Sequence, residues 1–133
     1  MKLITRDTDY ALRALCLIAK NREKIVSVSE LVEKLKIPRA FLRKILQALN
    51  KKGVLKSYKG AGGGFLLAKP ANKIFLVDLI EVFQGPFSLN ECFFKKMPCA
   101  NVRSCSLRKR LEGIEKVIIR KLRRINIASL LKD

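Results

Sequence analysis

The sequence predicts a mainly α-helical fold carrying one small β-hairpin. Apolar residues recur at steps of three and four along most of the chain. A Gly-Ala-Gly-Gly tip at 60–63 separates two short apolar runs. An apolar content of 49% with 30% charge then supplies a real core rather than a disordered chain. For 133 residues this means one compact domain with an added helix.

Each element follows from its own signals. From about Thr8 to Lys20, Ala11, Leu12, Leu15, Ile18 and Ala19 share one face and Arg13 and Lys20 the other, a first amphipathic helix. Ser27 and Glu30 read as a capping box, and Val28, Leu31, Val32 and Leu35 extend it into a short second helix. Pro38 suits the first position of a third helix, whose buried stripe is Phe41, Leu42, Ile45, Leu46 and Leu49 and which stops near Gly53. Val54 to Lys59 and Gly64 to Ala68 read as the two strands of the hairpin. Ile74 to Leu76 read as a brief strand. Val77, Leu79, Ile80 and Phe83 form a further helix that ends at Gln84-Gly85-Pro86. No periodicity runs from Phe87 to Cys105. From Ser106 to about Asn126, Leu107, Leu111, Ile114, Ile118, Leu122 and Ile125 make a long helix with a narrow seam suited to pairing with another helix.

Helix, short helix, turn, helix and glycine-tipped hairpin is the order of a winged helix-turn-helix. The expected organisation is therefore a winged helix-turn-helix over 1–86, a cysteine-bearing loop over 87–105, and a dimerisation helix with its tail over 106–133.

Charge points to a polyanion. The chain holds 29 Lys plus Arg against 11 Asp plus Glu, a formal charge of +18. Between Lys34 and Lys73 there are 11 basic residues, and no acid lies between Glu33 and Asp78. A solvated surface normally mixes both signs. With no histidine, imidazole-dependent triads and His-ligated zinc or haem are excluded, and no paired acids converge as an enzyme would require. The longest apolar run, Ala14 to Ala19, is six residues, far short of the ~20 that cross a bilayer. A cytoplasmic protein with no membrane partner is expected, in which four cysteines stay reduced.

Three constellations carry chemistry. On the third helix Arg39, Arg43 and Gln47 share a face, with Lys44, Asn50 and Lys51 beside them. In a major groove, Arg can bond guanine O6 and N7 together, and Gln can bond adenine N6 and N7. Lys56, Ser57, Tyr58 and Lys59 lead into the hairpin tip, where glycines such as Gly62 let the backbone approach phosphate closely. A nucleotide-binding loop would need a following Gly-Lys-Ser/Thr and a helix, and neither is there. Cys92, Cys99 and Cys105 are spaced Cys-x6-Cys-x5-Cys. They lack the paired knuckles of structural zinc sites, and a soft-metal centre, reactive thiols and no role all remain open on spacing alone. Cys16, among Leu15, Leu17 and Ile18, is expected to act as a small buried hydrophobe.

The stretches Ile37-Pro-Arg-Ala-Phe-Leu42, Leu49-Asn-Lys-Lys-Gly-Val-Leu55 and Lys56-Ser-Tyr-Lys-Gly-Ala-Gly-Gly-Gly-Phe-Leu-Leu67 resemble the Rrf-two family of bacterial winged-helix transcription regulators. Thr8-Asp-Tyr-Ala-Leu-Arg13 and three cysteines before a long helix extend the resemblance over nearly the whole chain. It implies a homodimer that crosses its long helices and binds a palindromic operator in double-stranded DNA. It also implies an iron–sulfur cluster, 2Fe-2S or 4Fe-4S, held by Cys92, Cys99 and Cys105, although the first cysteine gap is one residue longer than the family's commonest. In the cluster-biogenesis branch the fourth ligand is a histidine at the place of Arg108, which cannot ligate iron. In the nitric-oxide-sensing branch it is an aspartate of the partner's first helix, which matches Asp9. A cluster-free regulator of sulfur or cysteine metabolism is the alternative within the family, and a basic RNA-binding module the alternative outside it.

Overall fold

The computed structural model describes residues 3–21, 23–87 and 106–132. Its first helix, α1 (Arg6–Lys20), starts two residues earlier than the apolar period suggests, because Thr5 Oγ1 accepts from the Thr8 backbone N–H at 3.5 Å. Ser27 caps α2 (Val28–Leu35) in the same way, accepting from Glu30 N at 3.1 Å. Only this half of the expected capping box forms, since the Glu30 carboxylate is taken by Lys34 Nζ one turn on, at 3.0 Å. Lys36 ends α2 in the left-handed region, at φ 59°.

Pro38 is the N-cap of α3 (Arg39–Lys51) and not its first helical residue. Its ψ of 134° is extended, so the helical turn begins with Arg39. At the other end Gly53, at φ 78°, donates to Asn50 O at 3.0 Å, and Val54 donates to Leu49 O at 2.9 Å. These two bonds complete a Schellman motif and turn the chain directly into the hairpin.

The hairpin is β1 (Leu55–Tyr58) antiparallel to β2 (Gly64–Leu67), with Leu55 opposite Leu67 and Tyr58 opposite Gly64. Val26 adds an isolated antiparallel bridge to β2 by exchanging both backbone bonds with Phe65, at 3.0 and 2.8 Å. This approach explains Gly64: a Cβ there would overlap the Val26 carbonyl oxygen.

The expected strand at Ile74–Leu76 reduces to a single bridge. Phe75 pairs with Asn126, Ile74 O accepts from Ile127 N at 3.0 Å, and Leu76 already opens α4 (Leu76–Gln84). The last long helix, α5, spans Ser106–Leu122 and ends before the expected Asn126. Its apolar period continues through Ile125, but Asn126 and Ser129 form a reciprocal capping box that starts a new helix, α6 (Ile127–Leu130).

The core gathers Ala11, Ala14, Leu15 and Ile18 of α1, Leu31 of α2, Leu42, Leu46 and Leu49 of α3, Leu55 of β1 and Leu79 of α4. Ile127 is buried in the same cluster, so the α6 tail belongs to the winged-helix core. A smaller cluster of Leu76, Ile80 and Leu122 docks the end of α5 on α4. The rest of α5 keeps its seam open, with Leu107, Ile114 and Val117 at 65%, 51% and 45% exposure. Gly113 sits mid-helix in α5 with no atom within 4 Å of where a Cβ would stand. A glycine there costs about 0.5–1 kcal/mol relative to alanine, and no packing among the described residues requires it.

Candidate nucleic-acid interface

The face of α3 and the hairpin enclose one groove of about 520 Å³. Arg43, Gln47 and Asn50 line its α3 wall, Ser57, Tyr58 and Lys59 the opposite wall, and Val28 and Ser29 the α2 end. The geometry follows from local rules. Residues 43, 47 and 50 lie on the flank of α3 next to its buried stripe, and the Schellman turn at Gly53 brings β1 back along that flank. Gly60 and Gly62 take positive φ at the tip, where Gly63 N donates to Gly60 O at 3.0 Å. No acidic residue among the described ones lines this groove. A cleft at the junction of α1, β2 and α6 is larger, about 670 Å³. Its lining is mainly apolar, with one acid and one base, Glu23 and Lys69.

Every residue expected to face nucleic acid is exposed: Arg39, Arg43, Lys44, Gln47, Lys56, Ser57, Tyr58, Lys59 and Gly62. The groove unites Arg43, Gln47, Ser57, Tyr58 and Lys59, whereas Arg39, Lys44, Lys56 and Gly62 lie outside its lining. Arg39 is turned to α2, where its Nη2 donates to Ser29 Oγ at 3.0 Å. This contact sets Arg39 apart from Arg43 and Gln47, with which helical spacing placed it on one face. Ser29 was not expected at the site, and its only sequence signal is its place in the first turn of a helix-turn-helix.

The Rrf2 family model, described as an iron-dependent transcriptional regulator, matches residues 4–133. The chain belongs to the Rrf2 family. A regulator of the helix-turn-helix type from Aquifex aeolicus is 43% identical over 91 residues, which are 68% of this chain and 63% of that protein. The transcriptional regulator NsrR of Oceanobacillus iheyensis is 30% identical over 128 residues, covering 95% of this chain and 87% of its own. Among solved structures, CymR, the global cysteine regulator of B. subtilis, superposes with a TM-score of 0.82 at 23% identity, covering 99% of this chain and 98% of its own. These likenesses bear out the winged-helix fold and make the protein a transcriptional regulator of the Rrf2 type. No helix among the described residues is long and apolar enough to cross a membrane.

Cys92, Cys99 and Cys105 lie outside the described residues, among which no group of metal-ligating side chains occurs. Asp9 is described. Its carboxylate, 44% exposed in the first turn of α1, accepts from Arg13 Nε at 3.0 Å. Beside it, Thr8 is fully buried and donates through Oγ1 to Gln84 Oε1 at 2.7 Å. The same oxygen accepts from Thr5 N at 3.0 Å, and Gln84 Nε2 donates to Leu3 O at 3.2 Å. This knot fastens the start of α1 to the end of α4. Sequence reasoning missed it because its partners are more than seventy residues apart.

Cys16 is half-buried against the core, as its apolar neighbours suggest. Burial pushes its thiol above the ordinary cysteine value, and the Lys20 ammonium opposes the shift only in part. Because the raised value leaves less thiolate at neutral pH, peptide-mapped alkylation of native Cys16 by iodoacetamide should be slower at pH 7.5 than after unfolding. The gap should narrow as pH rises through the raised value. Equal native and unfolded rates at pH 7.5 would contradict the burial of this thiol.

Proposed function

We propose that this Rrf2-family regulator binds a palindromic operator in double-stranded DNA as a homodimer, under the control of an iron–sulfur cluster. Cys92, Cys99 and Cys105 supply the thiolates, and the partner subunit's Asp9 is the fourth ligand. The observation that carries the DNA reading is the acid-free groove in which Arg43, Gln47 and Asn50 of α3 face Ser57, Tyr58 and Lys59 of the hairpin. In a major groove, α3 presents donors that fit guanine and adenine edges, while the hairpin tip contacts backbone. The exposed seam Leu107–Ile114 on α5 supports pairing of two long helices, because apolar residues at such spacing gain by mutual burial.

The donor set fits a cluster. Three thiols within fourteen residues suit iron, and Asp9 offers an accessible carboxylate once it leaves Arg13. When bound, the cluster supplies thiolate-held iron with one hard, oxygen-ligated corner that exchanges more readily than the rest. Asp9 sits one residue from the Thr8–Gln84 bond, so movement of this carboxylate acts on the junction of α1 and α4. Helix α1 packs directly on α3, which links that junction to the reading face.

Arg43→Ala should weaken binding to an operator selected in vitro by about 1–3 kcal/mol and relax discrimination at one base. Lys59→Ala should weaken all duplexes more evenly and lower the salt slope by about one. Fluorescence anisotropy across a salt series measures both, and parental binding by both variants would remove the groove from DNA recognition.

The paired variant Ile114→Glu with Ile118→Glu places carboxylates in the α5 seam, where burial without a partner is costly. Light scattering should then report monomers in place of the parent's dimers. A dimer that persists would put the interface elsewhere.

After anaerobic purification, replacing Cys92, Cys99 or Cys105 by Ala should abolish the visible absorbance and the bound iron and sulfide, whereas Cys16→Ala should retain them. Asp9→Ala should give a cluster lost faster to chelators. A colourless parent free of iron and sulfide would instead fit the cluster-free regulator of sulfur or cysteine metabolism.

A further inference from the structure

Helix α5 carries a second basic surface that the reading face does not use. At about 100° per residue, Lys109, Lys116, Arg120 and Arg123 fall within about 60° of one another, opposite the seam of Leu107, Leu111, Ile114 and Ile118. Arg123 follows the last turn in register, its N–H donating to Ile119 O at 2.9 Å. All four side chains are exposed, and none has an ion-pair partner among the described residues. The nearest acid along this side, Glu112, is engaged by Arg108 at 3.1 Å.

Two features set the stripe apart from an ordinary solvated face. Lys116 with Arg120, and Arg120 with Arg123, are like-charge pairs at helical neighbour spacing, which weaken a helix. The helix dipole favours cations only in the last turn, so it accounts for Arg120 and Arg123 but not for Lys109 and Lys116. Gly113 lies at the edge of the same stripe. It leaves a notch in the helix surface that nothing among the described residues fills, which suits close approach by an external backbone.

We infer that Lys109, Lys116, Arg120 and Arg123 form a second duplex-DNA site, which holds the backbone of a DNA segment other than the one under α3 and the hairpin. The stripe is about 21 Å long at 1.5 Å per residue, and duplex DNA offers a phosphate charge about every 1.7 Å of its axis. From residue 106 onward the chain has no aromatic side chain, so it lacks the stacking platform that single-stranded nucleic acid uses. The seam opposite is the face proposed above to pair between subunits, which leaves the stripe facing outward. One dimer would then carry DNA on two surfaces and join separate segments. The inference rests on the operator-binding reading for the first segment and on the proposed pairing of the α5 seam for the outward orientation of the stripe.

The test immobilises a selected operator, saturates it with the full chain and passes a short fluorescent duplex of unrelated sequence over the complex. The parent should capture the second duplex. The variant Lys109→Gln, Lys116→Gln, Arg120→Gln and Arg123→Gln should bind the operator as the parent does but capture the second duplex more than about tenfold less, with a salt slope smaller by about 3 to 4. Gly113→Glu, which replaces a helix-weakening residue by a helix former while placing a carboxylate on the stripe, should also lose capture. Operator affinity and molar mass are read on the same samples, so failure of the first DNA site or of the dimer is seen separately. A parent that captures nothing, or variants that capture as well as it does, would overturn the inference. So would capture competed by single-stranded RNA or anionic lipid vesicles but not by unlabelled duplex.

Discussion

Burial of one stripe on α1 is the constraint on which the rest of the molecule depends. Ala11, Ala14, Leu15 and Ile18 lose almost all contact with water, and α2, α3, α4, α6 and β2 each pack against this helix. The alanines matter as much as the larger residues, because short side chains let neighbouring backbones come close. A central helix touched on so many sides fixes where the others can lie. The α3 face, the hairpin and the α5 root therefore owe their mutual placement to this buried packing and not to the exposed groups proposed to bind DNA.

What the sequence reveals about this arrangement follows the range of the interaction. The α1 and α2 stripes, the Ser27 cap and the Gly53 stop are encoded within a few residues and can be read from spacing alone, as can the α3 stripe except for Phe41, which was expected in it and stands 47% exposed. Features that depend on distant partners cannot. Ile74–Leu76 has the composition of a strand, but only Phe75 finds a partner, Asn126, before α4 begins. The apolar period of α5 runs on through Ile125, and a local cap at Asn126 overrides it. Pro38 shows a subtler limit, since its fixed φ suits both an N-cap and a first turn and only ψ separates them.

The candidate site divides along the same line. Arg43, Gln47, Ser57, Tyr58 and Lys59 were legible because charge, helical spacing and a glycine tip coincide. The displacement of Arg39 toward Ser29 was not, because it depends on the crossing of two helices. Family likeness contributes something different in kind. It alone suggests the role proposed for Asp9, since an exposed acid paired with Arg13 looks like an ordinary helix-surface salt bridge, worth little in stability.

Ile127 lies beyond the long helix yet is fully buried among residues of the winged-helix core. During synthesis, domains fold as units once their parts are available. Here the hydrophobic centre stays unfilled until residue 127 has left the ribosome. A nascent chain that already exposes α3 and the hairpin therefore remains loosely packed until the whole of α5 has been made. Completion of the winged-helix core and of the helix proposed to pair subunits thus falls at the same late moment of translation.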